Sequence, residues 1–273
     1  MTFSIVARSA DGHSHGVAVA SRFLAVGSAV PAAQAQIGAL ATQSYANLGY
    51  RPQGLTLLRT GVAAADVVAG LTAADPGRDQ RQLGVVGPTG DGATYTGTAC
   101  HEWAGGLAGD GYAIQGNILA GKQVVVAMVE AWAASDPAAP LGRRLLAALL
   151  AGDRAGGDRR GRQSAALLVV AKGQGYGGTS DVAVDLRVDD HADPVPELSR
   201  LLDLHSLYFD KPDPATLLDL TGPLAEEVWS LLAARGYPDL ESWAGVENLE
   251  ERLVPGRIDP LVLHHLRSRS AST

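Results

Sequence analysis

The sequence predicts an α+β protein of stacked helix and strand layers, followed by a small helical module at the C-terminal end. Strand-like and helix-like segments occur in successive groups, and this order favours packed layers over a regular βαβ alternation. Aromatic residues make up 5% of the 273 residues while glycine contributes 33, a composition that suits closely packed layers joined by tight turns. The composition changes after residues 189–197, so we predict one domain over residues 1–200 and a second over residues 201–273.

Eight short apolar or alternating runs predict strands, and glycine-rich or polar turns separate several of them. The Asp11-Gly12 turn between the first two runs predicts that these strands pair antiparallel, and PTGDG at 88–92 predicts a second hairpin. The predicted strands are residues 3–7, 16–20, 37–43, 83–86, 93–96, 112–115, 164–171 and 182–188.

In four further segments, apolar residues recur at the three- and four-residue spacing of a helix. The predicted helices are residues 52–59, 63–74, 124–134 and 141–150. Beyond residue 200 the sequence predicts only helices and turns. A linker-like KPDP stands at 211–214, and a largely helical stretch at 217–235 contains Pro223.

Charge and composition exclude several classes of function. The net charge of −7, from 29 acidic and 22 basic residues, has the wrong sign for non-specific binding to nucleic acid. The longest apolar runs, such as AALLVVA at 165–171, are too short to cross a bilayer, and the first residues lack the pattern of a secretory signal. We therefore expect a cytoplasmic protein with neither nucleic acid nor membrane as a partner.

The sequence contains no motif for a cofactor or a metal. GQGYGG at 173–178 lacks the Lys-Ser or Lys-Thr pair of a phosphate loop, and no GxGxxG motif opens a helix after a strand. The single cysteine, Cys100, excludes a multi-cysteine zinc site and a disulfide within the chain, and we place it near the site as a packing residue. For His13 and His15 an exposed turn is favoured over metal binding, and His264-His265 is expected at the surface.

Thr2 is the residue best placed to carry chemistry. Its small side chain permits removal of Met1, which would leave a hydroxyl and a free α-amine on one residue. An α-amine has a pKa near ~7.7–8.0, so it can accept the hydroxyl proton near neutral pH. Thr2 leads directly into the first predicted strand, which would fix the terminus in a sheet. Ser4 would share its face of that strand, either hydrogen-bonding near Thr2 or packing as a small residue.

Several motifs, in order along the chain, resemble the DUF1028 family, which is assigned to the N-terminal-nucleophile (Ntn) hydrolase superfamily. These motifs are MTFSIVARS at 1–9, GVAVASRFLAVGSAVPAAQAQIGALATQS at 16–44, QGN at 115–117 and GDRRGRQSAALLVV at 157–170. The resemblance implies a four-layer αββα sandwich over about residues 1–200, with the first residue of the first strand as nucleophile. Residues 204–214 and 236–267 resemble a peptidoglycan-binding-like module that is often attached to this family.

The resemblance also directs attention to Arg22, Gln43 and Asn117, which stand at the ends of predicted strands. In related hydrolases a cation lies near the nucleophile. Arg22 could stabilise an alkoxide or oxyanion, orient a substrate carboxylate, or bond backbone carbonyls at the strand end. The amides of Gln43 and Asn117 could donate to an oxyanion, bind a substrate amide, or form turns. We favour Asn117 as the oxyanion donor.

The loop at 157–164 supplies the remaining candidates for substrate binding. We expect Asp158 and Arg162 to bond within the loop or to line the mouth of a pocket. Gln163 and Ser164 pass at once into an apolar strand, so we expect both to be held in place. The alternative for the whole loop is a solvated, charged surface segment.

Two functions from different classes follow. The first is an amidohydrolase that forms an acyl-threonine ester on a small amide or peptide, with Arg22 and Arg162 suited to a substrate carboxylate. The second is a non-catalytic binding protein with a degenerate hydrolase core and a tail that docks to a cell-wall-like polymer. Pairing of two copies through a helix layer is expected in either case.

Overall fold

Antiparallel strands form most of the first two hundred residues, and helices form most of the remainder. The computed structural model describes residues 2–268. Its strands are β1 (Thr2–Arg8), β2 (Ser14–Ser21), β3 (Pro31–Gln34), β4 (Gly38–Ser44), β5 (Arg81–Val86), β6 (Gly92–Thr96), β7 (Gly105–Gly109), β8 (Tyr112–Asn117), β9 (Ser164–Ala171), β10 (Val182–Val188), β11 (Leu218–Asp219) and β12 (Arg257–Ile258). Its helices are α1 (Val26–Ala29), α2 (Tyr50–Arg59), α3 (Ala64–Ala73), α4 (Gln123–Ala134), α5 (Leu141–Arg154), α6 (Pro194–Phe209), α7 (Gly222–Ala234), α8 (Leu240–Glu247) and α9 (Pro260–Ser268).

The strands of the first unit form two antiparallel sheets. One sheet has six strands in the order β10-β9-β2-β1-β8-β7, and the other has four in the order β3-β4-β5-β6. Strand β1 lies in the interior of the larger sheet, between β2 and β8, with Thr2 opposite Asn117 and Phe3 opposite Ala20. The first predicted hairpin is confirmed by the pairing of β1 with β2, and the second by the pairing of β5 with β6.

Side chains along β1 alternate between two apolar clusters, because successive residues of a strand point to opposite faces. Phe3, Ile5 and Ala7 pack with residues of α4 and α5, among them Met128 and Leu149. The even-numbered side chains of β1 therefore point away from these helices.

A second apolar cluster joins the two sheets. Val6 of β1 and Val17 of β2 pack in one cluster with Ala39 and Ala41 of β4 and Val86 of β5. Because Thr2 and Ser4 share the alternation of Val6, their side chains also face the smaller sheet. This position removes them from solvent and forces their polar atoms to find partners within the protein.

Helices α2 and α3 cover the opposite face of the smaller sheet. Leu40 of β4 and Leu83 of β5 pack there against Leu58 of α2 and Val67 of α3. The chain is thus a mixed α/β protein with antiparallel sheets and a helical C-terminal region, as the sequence predicts at that level of detail.

The chain divides into two compact units, one ending at Leu202 and the other beginning at Asp203. Helix α6 runs through residue 200, so the boundary predicted there lies within a helix. In the second unit, Val228, Trp243 and Leu266 belong to one apolar cluster.

The second unit contains a buried ion pair. Arg252 and Asp259 lie 2.5 Å apart. The same guanidinium donates to the backbone oxygens of Ser206 at 2.7 Å and Leu207 at 2.6 Å.

Among residues 2–268, no helix is both long and apolar enough to span a bilayer.

The stretch at 217–235 is largely helical, as predicted, and its helix α7 begins at Gly222 with Pro223 in its first turn, where the missing N–H of proline is tolerated. One detail of the prediction for the C-terminal region is wrong. Leu218–Asp219 instead pair with Arg257–Ile258, so the C-terminal region is not made only of helices and turns. Strands β3 and β7 were not predicted, because PAAQ and GGLAG lack the β-branched residues that indicate a strand.

Candidate functional site

Thr2 opens the interior strand β1 of the larger sheet and is almost fully buried, with 6% of its surface exposed. Its Oγ1 lies 3.1 Å from the Oγ of Ser21, the last residue of the neighbouring strand β2. Met1, whose removal the small side chain of Thr2 permits, lies outside the described residues. The hydroxyl of Thr2 is therefore held at a strand end against another hydroxyl.

Buried side-chain hydrogen bonds link the Thr2 end of β1 to the smaller sheet. Gln115 donates from Nε2 to Ser4 Oγ at 2.7 Å, and Ser4 donates in turn to Gln43 Oε1 at 2.7 Å. Gln43 Nε2 donates to the carbonyl oxygen of Thr2 at 3.3 Å. Because each buried group has a partner, these bonds position the backbone of Thr2 rather than strain it.

Gln82 on β5 is the hub of this network. Its Oε1 accepts from Gln43 Nε2 at 2.8 Å and from Asn117 Nδ2 at 2.9 Å. Its Nε2 donates to the backbone oxygen of Gly116 at 2.7 Å. The amide of Asn117, directly across the ladder from Thr2, is thereby fixed in one orientation.

A cavity of about 540 Å³ lies beside the Thr2 end of β1 and β2. Phe3, Ala20 and Ser21 border it from the sheet, and the end of α5, the loop at 156–162 and the start of α6 complete its wall. Ser21 therefore both lines the cavity and contacts the Thr2 hydroxyl.

Asp158 anchors the end of β2 to this loop. Its Oδ2 accepts from the backbone N–H of Arg22 at 2.7 Å, and its carboxylate forms an ion pair with Arg160 at 3.2 Å. The Arg22 guanidinium reaches the carbonyl oxygen of Arg160 at 3.4 Å. Arg22 and Asp158 both line the cavity, and the contact of Arg22 with a backbone carbonyl is one of the three roles expected for it.

The model of a family of unknown function, DUF1028, matches residues 2–198. The chain belongs to the DUF1028 family. A second family model, described as "Putative peptidoglycan binding domain", matches residues 208–266.

The solved structures that resemble this DUF1028 chain include the crystal structure of protein SPO2555 from Silicibacter pomeroyi. That protein also carries the DUF1028 family model and is 31% identical to this chain. The TM-score is 0.68, and the match covers 83% of this chain and 92% of the other. None of the curated proteins matches this chain.

The last candidates in the DUF1028 unit hold the loop around the cavity. Arg162 donates to Asp153 at 2.8 Å and to Asp193 at 3.1 Å, and the bond to Asp153 raises the pKa of the guanidinium further. Ser164 Oγ donates to the carbonyl oxygen of Phe23 at 2.5 Å and accepts from the backbone N–H of Val26.

Gln163 is half-buried, and its carbonyl oxygen accepts from the N–H of His191 at 2.8 Å. Neither Gln163 nor Ser164 is among the residues found to line this cavity. Both are held in place by these bonds, and a contact with substrate stays a prediction for each.

The histidines and the cysteine fall in different surroundings. His13 is exposed on the turn before β2, but His15 is fully buried within β2, so an exposed turn is wrong for His15. His265 is half-buried and lies 3.2 Å from Glu247, so a surface position is wrong for it. Cys100 is buried, and its thiol donates to the carbonyl oxygen of Arg81. Within residues 2–268, no three His, Cys, Asp or Glu residues are grouped as metal ligands would be.

Sequence reasoning missed Gln82, Gln115 and Ser21. A signal for the two glutamines was present: each interrupts an apolar strand, in RQLGVV and YAIQGN, and each is fully buried. A buried amide inside an apolar run indicates a polar network, because it must find partners there.

Proposed function

We propose that this DUF1028 protein is an amide hydrolase whose nucleophile is the Oγ1 of Thr2. The observation that supports it best is the position of Thr2, which opens an interior strand with its hydroxyl 3.1 Å from a residue that lines a cavity. The proposal includes the four-layer αββα arrangement of Ntn hydrolases for the first unit. The apolar cluster between the sheets and the helices on their other faces support that arrangement.

The reaction begins once residue 1 has been removed and Thr2 has a free α-amine. This amine accepts the proton of Oγ1 while Oγ1 attacks the carbonyl carbon of the substrate amide. The tetrahedral intermediate collapses, the C–N bond breaks, and the α-ammonium returns the proton to the departing amine. Water then attacks the acyl-threonine ester with the same amine as base, which releases the acid and regenerates Oγ1.

Asn117 supplies the oxyanion donor in this proposal. Of the two N–H groups on its amide, one is used by Gln82, which leaves the other for an oxygen of the substrate. Its position opposite Thr2 in the ladder places both residues at the same strand ends. A donor fixed before the reaction stabilises the developing charge without reorganisation.

The other candidates have supporting roles. Gln43 and Ser4 hold the Thr2 backbone through hydrogen bonds, and Arg22 contributes positive charge beside the cavity. Asp158 and Arg162 shape the cavity wall. These roles need no cofactor.

A β-lactone electrophile tests the nucleophile directly. We expect one covalent adduct, located by peptide mass spectrometry on a terminal peptide that begins at Thr2. The Thr2→Ala variant should give no adduct. Thr56→Ala, which changes an exposed threonine on α2, should label like the wild type. Labelling at Cys100, or an active protein that retains Met1, would refute the mechanism.

The family match over residues 208–266 favours a second function, in which the C-terminal unit binds a cell-wall-like polymer. Trp229 on α7 is 47% exposed and could stack on a sugar ring. We expect the full chain to be retained by purified peptidoglycan and Trp229→Ala to weaken retention several-fold. Tyr176→Ala, which removes an exposed aromatic ring from the other unit, serves as control. Equal retention of both variants would exclude a binding role for Trp229, and no retention of the full chain would exclude this polymer as a ligand.

Self-association through a helix layer and a cytoplasmic location stay predictions.

A further inference from the structure

The cavity beside Ser21 is bordered by three arginines and two aspartates. The arginines are Arg22, Arg154 and Arg162, and the aspartates are Asp153 and Asp158. This local excess of positive charge runs against the net charge of −7 for the whole chain. The net negative charge of the protein repels anions. An anion therefore binds only where local cations attract it, and this cavity is such a place.

Both aspartates already have cationic partners. Asp153 accepts from Arg162 at 2.8 Å, and Asp158 pairs with Arg160 at 3.2 Å. Arg162 also pairs through Nη1 with Asp193, which directly precedes α6. It is therefore a structural link between α5, the loop and the start of α6, and its contact with a substrate carboxylate stays a prediction.

Two guanidinium groups remain for a ligand. Arg22 reaches only a backbone carbonyl, at 3.4 Å, and within residues 2–268 neither Arg22 nor Arg154 forms an ion pair. Arg22 directly follows Ser21, which lines the cavity and whose Oγ is 3.1 Å from Thr2 Oγ1. Thr2 itself is not among the lining residues, so an anion held here lies beside the residue that contacts the Thr2 hydroxyl. Phe3, Ala20 and Val195 add apolar wall to the same cavity.

We propose that Arg22 and Arg154 bind a carboxylate of the substrate. The planar guanidinium fork matches a carboxylate in a bidentate geometry that an ammonium cannot reproduce. Resting on the proposed function for the amide bond, this assigns the substrate class: an N-acyl amino acid or short peptide with a free carboxylate and an apolar portion. The anion site itself does not depend on catalysis.

Arg154 is also the last residue of α5, where a cation stabilises the negative end of a helix. The conservative variant separates the two roles. Arg154→Lys keeps the charge at the helix end, so thermal stability stays unchanged, but it loses the bidentate fork.

The test measures binding without turnover. The Thr2→Ala protein is titrated by calorimetry with N-acetyl amino acids, each paired with its uncharged C-terminal amide. We expect at least one acid to bind about tenfold or more tightly than its amide, as a charge-assisted hydrogen bond provides. Adding Arg154→Ala or Arg22→Ala should remove that preference, and Arg154→Lys should restore only part of it. Arg159→Ala, an exposed change in the same loop outside the cavity, should leave it intact.

Several outcomes would overturn the assignment. These are an absence of acid preference in every pair, a preference that survives in both arginine variants, or tighter binding of inorganic phosphate than of any carboxylate. If Thr2→Ala fails to fold by circular dichroism, the same acid-to-amide comparison is made as competitive inhibition of lactone labelling in the wild type. Binding is measured separately from hydrolysis. A protein that binds the acid more tightly than its amide, but whose Thr2 is not labelled by the lactone, would contradict the proposed function and still support the anion site.

Discussion

We expect replacement of Thr2 by alanine to abolish amide hydrolysis and replacement by serine to retain part of it. Alanine removes Oγ1, the proposed nucleophile, while leaving β1 and its ladder with β8 in place. Loss of a nucleophile in a hydrolase lowers turnover on the order of 10⁴–10⁶-fold. Serine keeps the hydroxyl but lacks the methyl group that restricts its rotamer, so we expect a partial rate. The measurement is kcat/KM on N-acetyl amino acids with purified, mass-verified variants.

Asn117→Ala provides a graded comparison in the same assay. Removal of one oxyanion donor costs about 10²–10³-fold in turnover, less than removal of the nucleophile. Thr56→Ala, on the exposed side of α2, should match the wild type. We expect the loss of turnover to be largest for Thr2→Ala, smaller for Asn117→Ala and absent for Thr56→Ala. A Thr2→Ala variant that hydrolyses at the full rate would show that another group attacks.

Local patterns were sufficient for the strands around Thr2. The first two strands could be predicted because apolar runs flank Asp11-Gly12, a turn that returns the chain on itself. Strand β7 could not, because its sequence GGLAG has no β-branched residue and its place in the sheet depends on pairing with β8. Such pairing is a tertiary contact that propensity does not contain.

The residues of the candidate site likewise fall into those that a local pattern predicts and those that depend on tertiary contacts. Ser4 could be assigned to the face of Thr2 from the two-residue period of a strand alone. Gln82 could not be assigned to the site, since it belongs to the other sheet and meets Asn117 only when the sheets pack. Arg154 was overlooked for a similar reason. It lies at the end of α5, ten residues before β9, and it reaches the cavity only through tertiary packing. Ion pairs between distant segments then decided which arginines remained for a ligand.

Acidification should destabilise the protein through a single buried imidazole, that of His15. The ring is fully buried in β2, and neither nitrogen makes a well-formed hydrogen bond with any described residue. Burial lowers the pKa of His15 from 6.5 to about 4, an effect that the nearby backbone of Gly87 opposes in part and the charge of Arg8 reinforces. Arg8 is the residue opposite His15 in the ladder, so an imidazolium there would face a guanidinium.

The direction of the pH effect follows from the two states. Above pH 6.5 the ring is neutral in both the folded and the unfolded chain, so it contributes no pH dependence. As the pH falls from 6.5 towards 4, the unfolded chain binds a proton that the folded protein refuses, and stability is lost. A pKa difference of this size amounts to about 3 kcal/mol in the free energy of unfolding.

Urea denaturation between pH 7.5 and 4.5 measures this loss in the wild type and in His15→Leu. Carboxylates that titrate near the lower limit are common to both proteins, so the difference between the two curves isolates His15. We expect the wild type to lose about 2 kcal/mol relative to His15→Leu over this range, since the full 3 kcal/mol is reached only near pH 4. His13→Gln changes an exposed imidazole two residues away and should follow the wild-type curve.

Parallel curves for the wild type and His15→Leu would mean that the folded protein accepts the proton on His15 as readily as the unfolded chain does. That result would require an acceptor for the imidazolium that compensates both its burial and the guanidinium of Arg8. A slope that disappears in His13→Gln instead would assign the proton to the exposed turn. Only loss of the slope in His15→Leu alone agrees with a neutral ring buried where β2 meets Arg8.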